Sequence, residues 1–266
     1  MVDFITVCKK AARLGAAALM ERFGRVKALQ KGYADLVTEA DHASQDVIRR
    51  TVLEAFPDHG FLGEESAADA PGPGGRGSRK SPYRWIVDPL DGTTNFVHQV
   101  PHFSVSIALE HAGEPIAACV YNPVSGECFT AVAGEGAELD GHPIHSSGVT
   151  ALSEALASAG FPPKASPDAP DVLLFLAGLN ACQAIRRTGS AALNMSYVAC
   201  GRFDVAWSFS TKIWDVAAGS LLIREAGGAI ASPTGGDFAM QTGQFLAAAN
   251  RPLLEQLIHL AARAGV

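Results

Sequence analysis

One run of residues concentrates groups that do chemistry: Asp88-Pro89-Leu90-Asp91-Gly92-Thr93-Thr94-Asn95-Phe96. It follows Arg84-Trp85-Ile86-Val87, a short apolar stretch that predicts a strand ending at Asp88. Two carboxylates three residues apart then sit on a turn, where Pro89 fixes one backbone angle and Gly92 permits a tight approach. With the Leu90 carbonyl free in that turn, the segment offers oxygen ligands to one hard cation or two. Thr93 and Thr94 add hydroxyls and can open a helix as caps. Taken alone, the same residues also read as an ordinary Asp-Gly turn capped by Asp88.

The elements around this run must bring it further acids. Phe4, Val7, Cys8, Ala11, Leu14 and Ala18 recur at helical spacing, so residues 3–23 read as an amphipathic helix stopped at Gly24. Lys31 to Asp35 reads as a polar loop. Thr38 to Asp41 resembles a capping box with Asp in place of Glu, opening a helix that carries Val47, Ile48 and Val52. Asp41 is then a first-turn acid favoured by the helix dipole, or a ligand. After the turn Pro57-Asp58-His59-Gly60, a short strand from Phe61 ends in Glu64 and Glu65. Adjacent strand residues face opposite ways, so one of the two can point at a metal site while the other stays solvated or pairs structurally.

Residues 67–82, rich in Ala, Gly, Pro, Ser and Arg, read as a mobile surface loop able to serve as a lid. Gly72 to Gly77 formally matches a dinucleotide fingerprint, but neither a strand before it nor a helix after it is present, and a dehydrogenase rests on nothing else. From 103 to 146 the alternation of Phe103, Val105, Ile107 and Leu109 with Ser104, Ser106, Ala108 and Glu110 predicts a half-buried strand within an antiparallel meander. His98, His102, His142 and His145 lie in loops and read as surface residues. The second half predicts strands at 155–159, 184–187, 203–209 and 245–248, and helices at 191–200, 214–225 and 251–264: an α/β lobe. Asp215 stands at a helix start, again a cap or a ligand.

Composition bounds the rest. The 266 residues are 48% hydrophobic and 18% charged, with a formal charge of −6, which describes a folded globular chain. No basic run exceeds Arg76 to Lys80, so no nucleic-acid partner is expected. An acidic pocket still accepts an anionic substrate when cations invert its charge. Five widely spaced cysteines without a Cys-x-x-Cys pair predict reduced thiols rather than a disulfide framework or a zinc site. The first residues lack the apolar core of a signal peptide, and no run approaches the roughly 18 apolar residues of a membrane span. A cytoplasmic protein with no membrane partner is the expectation.

Three motifs in order, Gly63-Glu64-Glu65, the central run, and Trp214-Asp215-Val216-Ala217-Ala218-Gly219, resemble the inositol monophosphatase family of lithium-sensitive, magnesium-dependent phosphomonoesterases. Asp35 to Asp41 and Gly189 to Asn194 also look like elements of it. The resemblance implies an α+β fold, a layered αβαβα sandwich of the inositol monophosphatase and fructose bisphosphatase type. Residues 1–146 would form an α+β lobe with the metal motifs, and residues 147–266 an α/β lobe completing the site, in one compact unit. It further implies two or three Mg²⁺ ions, inhibition by Li⁺, a homodimer and a small phosphate ester as substrate.

By the same resemblance, Glu64, Asp88 and the Leu90 carbonyl hold the first ion, and Asp88, Asp91 and Asp215 the second. Asp41 sits at the rim, and Glu64 and Thr93 orient the attacking water. The amides of Gly92 and Thr93 receive the phosphate. Asp91, Thr94, Gly189, Ser190, Ala191 and Ser208 line the substrate.

One departure bears on the substrate. Inositol-cleaving members carry an acid seven positions before the Trp-Asp aspartate; here that position is Ser208. Losing charge-assisted hydrogen bonds weakens binding by about 1.5–3 kcal/mol, so inositol monophosphate is not the expected substrate. Arg186, Arg187 and Lys212 are candidates for a second anionic group, and Trp207 and Phe209 for stacking on a base or for the core. Activities resembling histidinol phosphatase, fructose bisphosphatase or 3′-phosphoadenosine 5′-phosphate phosphatase remain alternatives, as does a non-catalytic regulatory member of the family.

Overall fold

The computed structural model of the chain describes residues 3–25, 29–32, 35–65 and 81–266. The glycine motif at 72–77, the basic run at 76–80 and the expected loop up to residue 80 lie outside the described residues. Helix α1 (Phe4–Met20) opens on Asp3, whose side chain accepts from the Ile5 amide, and the chain leaves it through Gly24. Where a loop was expected, β1 (Leu29–Gly32) and β2 (Asp35–Val37) pair antiparallel. Helix α2 (Glu39–Ala55) begins at the predicted capping box, with the Thr38 amide and hydroxyl donating to Asp41 Oδ2 at 2.8 and 2.7 Å.

A seven-stranded sheet follows, in the order β3 (Gly60–Gly63), β4 (Tyr83–Asp91), β5 (Ser104–His111), β6 (Glu114–Tyr121), β7 (Cys128–Val132), β8 (Gly136–Leu139) and β9 (His142–Ile144). The first pair is parallel and the rest are antiparallel, so the predicted meander is present. A short helix, α3 (Thr93–Val97), joins β4 to β5. The second sheet comprises β10 (Leu156–Gly160), β11 (Ala184–Arg186), β12 (Val205–Ser208), β13 (Ala229–Ala231) and β14 (Phe245–Ala248), ordered β11-β10-β12-β14-β13. Its first three strands are parallel, while β14 runs antiparallel to both neighbours. Helices α4 (Pro170–Ala181), α5 (Ala191–Ala199), α6 (Ile213–Glu225) and α7 (Arg251–Arg263) complete the chain.

Side-chain alternation sorts these elements into five layers. Trp85 and Val87 of β4, Ile107 and Leu109 of β5, and Ala117 and Cys119 of β6 pack with α1 and α2 in one core. The intervening Ile86, Ala108, Ala118 and Val120 point the other way, into a core with α5 and α6. That middle layer also receives Ala206 of β12 and Phe245 and Ala247 of β14. Val205, Trp207, Leu246 and Ala248 face outward onto α7. The architecture is the expected αβαβα sandwich.

This layering corrects one reading. Strand β5 is buried on both faces, not one. Ser104, Ser106 and Ala108 are small because helices close over them, not because water does. Trp207 is likewise core, 1% exposed, and Phe209 packs partly buried against the same cluster. All five cysteines are free thiols, as expected.

Candidate active site

Strand β4 does not stop at Asp88. It runs to Asp91, pairing Asp88 with Ser106 and Asp91 with Ser104, so three steps on β4 oppose two on β5. That extra residue is a bulge. In a regular strand, residues three apart face opposite sides of the sheet; the bulge brings both carboxylates to one side. Pro89 has no N–H to lose where the ladder breaks. The expected turn is thus a kink within a strand, fastened by the Leu90 amide, which donates to Asp88 Oδ1 at 2.9 Å.

Gly92 then carries φ 102° and is the N-cap of α3, so Thr93 and Thr94 are its first helical residues rather than its caps. A Cβ at Gly92 would lie 3.2 Å from the Gly189 and His102 carbonyls, which adds a steric requirement to the conformational one. Thr93 Oγ1 donates to the Leu90 carbonyl at 3.2 Å and is 3.4 Å from Asp41 Oδ1. The Leu90 oxygen, expected to be free, therefore keeps one lone pair for another partner.

Asp91 is held from the far side of the chain. Its Oδ2 accepts from the Ser190 hydroxyl and from the Ala192 amide at 2.8 Å, and its Oδ1 from the Ala191 amide at 3.1 Å. Ser104 Oγ lies 3.4 Å from the same carboxylate. The Ser190, Ala191 and Ala192 donors stand at the start of α5, where a negative charge is favoured, whereas Ser104 comes from β5. Ser190 and Ala191, expected against the substrate, thus anchor Asp91 while also lining the cavity.

Asp215, three residues into α6, accepts from the Lys212 amide at 2.6 Å. Oxygens of Asp88, Asp91 and Asp215 all lie within 4.8 Å of one another. Burial, then the charges of Glu64, Asp91 and Asp215, raise Asp88 well above the usual carboxylate range. Burial and Asp91 push Asp215 up to about 7. Asp91 is raised by burial against the pull of its four donors. Such a cluster is short of positive charge.

The two glutamates follow the end of β3 rather than lying on it, so the strand-face argument does not apply. They still diverge. Glu64 bears electrostatically on Asp88. Glu65 has a side chain only 3% exposed, 4.0 Å from His42, and bears on Asp41. Asp41 itself is 1% exposed, and burial raises it.

Several contributors were missed. Asn95 Nδ2 donates to the His102 carbonyl at 2.6 Å and to Thr188 O at 2.8 Å, tying α3 to the loop before α5. Ser44 Oγ donates to Pro89 O at 3.0 Å, bracing the bulge from α2. Asn194 accepts from the Thr188 hydroxyl. Ser106 Oγ donates to Trp214 O at 3.3 Å. Asn95 carried a signal through its place in the central run, and Asn194 through the Gly189 to Asn194 element.

Among the expected surface histidines, His98, His142 and His145 are exposed, but His102 is half-buried, edge-on to Tyr197, with Nε2 lacking a partner. Burial lowers its pKa.

A cavity of about 190 Å³ opens beside Asp91 and Asp215, lined also by Gly189, Ser190, Ala191, Asn194, Ser208 and Arg187. Ser208 is 1% exposed, with its hydroxyl 3.5 Å from Ser210 Oγ. Arg187 reaches the cavity; Arg186 and Lys212 are exposed and do not line it.

Oxygen ligands clustered at a strand bulge and two helix starts, beside a small polar cavity, define a metal-dependent hydrolase site of the kind that handles phosphate esters. Residues 2–265 match the model of the inositol monophosphatase family, and the chain belongs to that family. "Nus factor SuhB" of Salmonella typhimurium is 38% identical over 264 residues, covering 98% of this chain and 96% of that protein. "Inositol-1-monophosphatase" of Rhizobium meliloti is 41% identical over 246 residues, covering 91% and 90%. Among solved structures, extragenic suppressor protein suhB from Bartonella henselae superposes with a TM-score of 0.88 at 35% identity, covering 96% and 97%. The inositol monophosphatase from Anabaena gives 0.84 at 34%, covering 98% and 95%. The chain is a phosphoric monoester hydrolase.

Proposed function

We propose that the protein hydrolyses small phosphate monoesters by direct attack of water, with Mg²⁺ as its cation. The observation that carries this is the all-oxygen set of Asp88, Asp91 and Asp215, whose ligand atoms lie within 4.8 Å of one another. Carboxylates and a carbonyl, with no imidazole or thiolate, suit a hard cation. The upward push on Asp88 and Asp215 marks the charge that a cation would neutralise. Glu64, Asp88, Leu90 O, Asp91 and Asp215 would hold Mg²⁺, in two or three sites with Asp41 at the rim. Bound there, it supplies the charge that lets a phosphate dianion approach and that makes water a better nucleophile.

The chain's own groups do the rest. Thr93 Oγ1, fixed by Leu90 O and Asp41, is positioned with Glu64 to orient water. The amides of Gly92 and Thr93, in the first turn of α3, meet the phosphate, with Thr94 beside them. Gly189, Ser190 and Ala191 wall the cavity, and Ser208 meets the leaving group. The attacking group in this reading is water itself, with no phosphoenzyme intermediate. We further read the protein as a lithium-inhibited cytoplasmic homodimer with no nucleic-acid or membrane partner; no helix among the described residues is long and apolar enough to cross a membrane.

The relatives named Nus factor favour a second reading, a regulatory protein that turns over little. The complete carboxylate set argues against it. Phosphate release is to be measured across inositol 1-phosphate, histidinol phosphate, fructose 1,6-bisphosphate and 3′-phosphoadenosine 5′-phosphate, each with and without Mg²⁺ and Li⁺. Release that requires Mg²⁺ and falls with Li⁺ supports the enzyme. Silence on every ester by a protein that binds Mg²⁺ moves the chain to the regulatory class.

A further inference from the structure

We propose that Asp171 is a positioning residue that sets specificity: through Ser210 it fixes the Ser208 hydroxyl as a hydrogen-bond acceptor toward the leaving group. Esters of hydroxylated alcohols are then preferred over esters whose leaving group offers no proton. This deepens the phosphatase reading and rests on it. Strand β12 ends at Ser208, and Ser208 and Ser210 both line the cavity of about 190 Å³ beside Asp91 and Asp215. Ser208 pairs with Gly160 of β10, where a Cβ would lie 3.1 Å from the Ser208 hydroxyl oxygen, so the glycine leaves that hydroxyl its room.

Asp171 lies in the first turn of α4 and is 4% exposed. Its partners belong to the segment after β12. Oδ1 accepts from the Phe209 amide at 2.6 Å, and the carboxylate also accepts from the Ser210 hydroxyl. Burial pushes Asp171 up to about 6, so at pH 8 it is ionised and can only accept.

Polarity then passes along a relay of hydroxyls. A serine hydroxyl has one proton and two lone pairs. Ser210 gives its proton to Asp171 and is left able only to accept. Ser208 Oγ lies 3.5 Å from Ser210 Oγ, so its proton points there and its lone pairs remain for the cavity. An ether oxygen placed against Ser208 would set acceptor on acceptor, whereas a hydroxyl supplies the missing proton.

The test compares glycerol 1-phosphate with 2,3-dimethoxypropyl phosphate at pH 8, using the full chain with Mg²⁺. Both are esters of primary alcohols with oxygens on the same carbons, so leaving ability is matched. We expect kcat/KM for glycerol 1-phosphate to exceed that for the ether by about tenfold, which is 1.4 kcal/mol. Asp171→Asn keeps an oxygen for the Phe209 amide but turns an NH₂ toward Ser210, which reverses the polarity. It should lower that ratio at least about threefold, through KM rather than kcat. Ser210→Ala, which leaves Asp171 and α4 in place, should do the same, and Ser210→Thr, which keeps the hydroxyl, should retain the parent ratio. Where Asp171→Asn does not fold, the two Ser210 variants decide. A parent ratio near one, or a ratio that neither Asp171→Asn nor Ser210→Ala moves, overturns the relay while the phosphatase stands. A fall carried by kcat alone, with a lower Tm, makes Asp171 a structural brace and overturns the relay too. No phosphate from either ester overturns the phosphatase reading, and the relay with it.

Discussion

Asp91 is a ligand candidate and a structural hinge in one side chain. It stands with Asp88 and Asp215, yet both of its oxygens also close the start of α5. Asp91→Asn keeps the shape but turns an NH₂ toward one of those amides. Losing several kcal/mol of charge stabilisation in the transition state predicts a fall in kcat/KM on the order of 10²–10³-fold, read as Mg²⁺-dependent phosphate release. The fold should survive, since relief of buried charge offsets part of the lost hydrogen bonding; circular dichroism and Tm check this. Kinetics equal to those of the parent chain would take Asp91 out of the site. At this scale the sequence was informative wherever the determinant is local. The capping box at Thr38 to Asp41 and the Asp88/Asp91 pair are each set by neighbours three residues away. Ser104 and Ser106 were not legible, because a serine facing a helix has the same pattern as a serine facing water. Only the partner at position 91 or 214 distinguishes the two.

Helices α5 and α6 form the layer on which the site is mounted, and they approach closely at Gly219. A Cβ there would lie 2.6 Å from Met195 Cβ. Gly219→Ala gains some helix propensity but overpacks the layer at about 1–3 kcal/mol. The net expectation is a Tm lower by a few degrees, together with lower activity, because α5 carries the anchors of Asp91. Helix α4 offers a pH test. Asp171, 4% exposed, is pushed up to about 6 by burial. The folded state then holds a proton that the unfolded state has released. Stability is therefore fully present below about pH 4 and is lost as pH rises toward 6. Asp171→Asn should flatten Tm against pH across that window, measured by calorimetry; an unchanged slope would contradict it. Helix α4 itself was missed from sequence. Leu173, Leu174, Phe175 and Leu176 are consecutive, so no stripe of period 3.6 emerges. Strand β13, three residues after a Gly-Gly pair, was too short to register.

Across the whole molecule, the site is a seam. Asp88 and Asp91 come from the seven-stranded sheet, Asp215 from the middle layer, and the cavity wall at Ser208 from the five-stranded sheet. The three motifs made the layered fold legible, but the order in which two sheets clasp one helical layer depends on contacts a hundred residues apart. Binding to the folded chain alone stabilises it by mass action. Chelation of divalent cations should therefore lower Tm, and Mg²⁺ at about 100 times its Kd should restore roughly 2.7 kcal/mol, checked by differential scanning fluorimetry. A melting curve indifferent to chelator would mean that no cation bridges the seam.

The crowding of acids described around Asp88 has an outcome beyond chemistry. A chain that keeps like charges pressed together when stripped of cations opens more often, and opened chains are what proteases cut. Its lifetime in a cell would then follow the supply of divalent ions, so that scarcity removes the catalyst itself and not only its turnover.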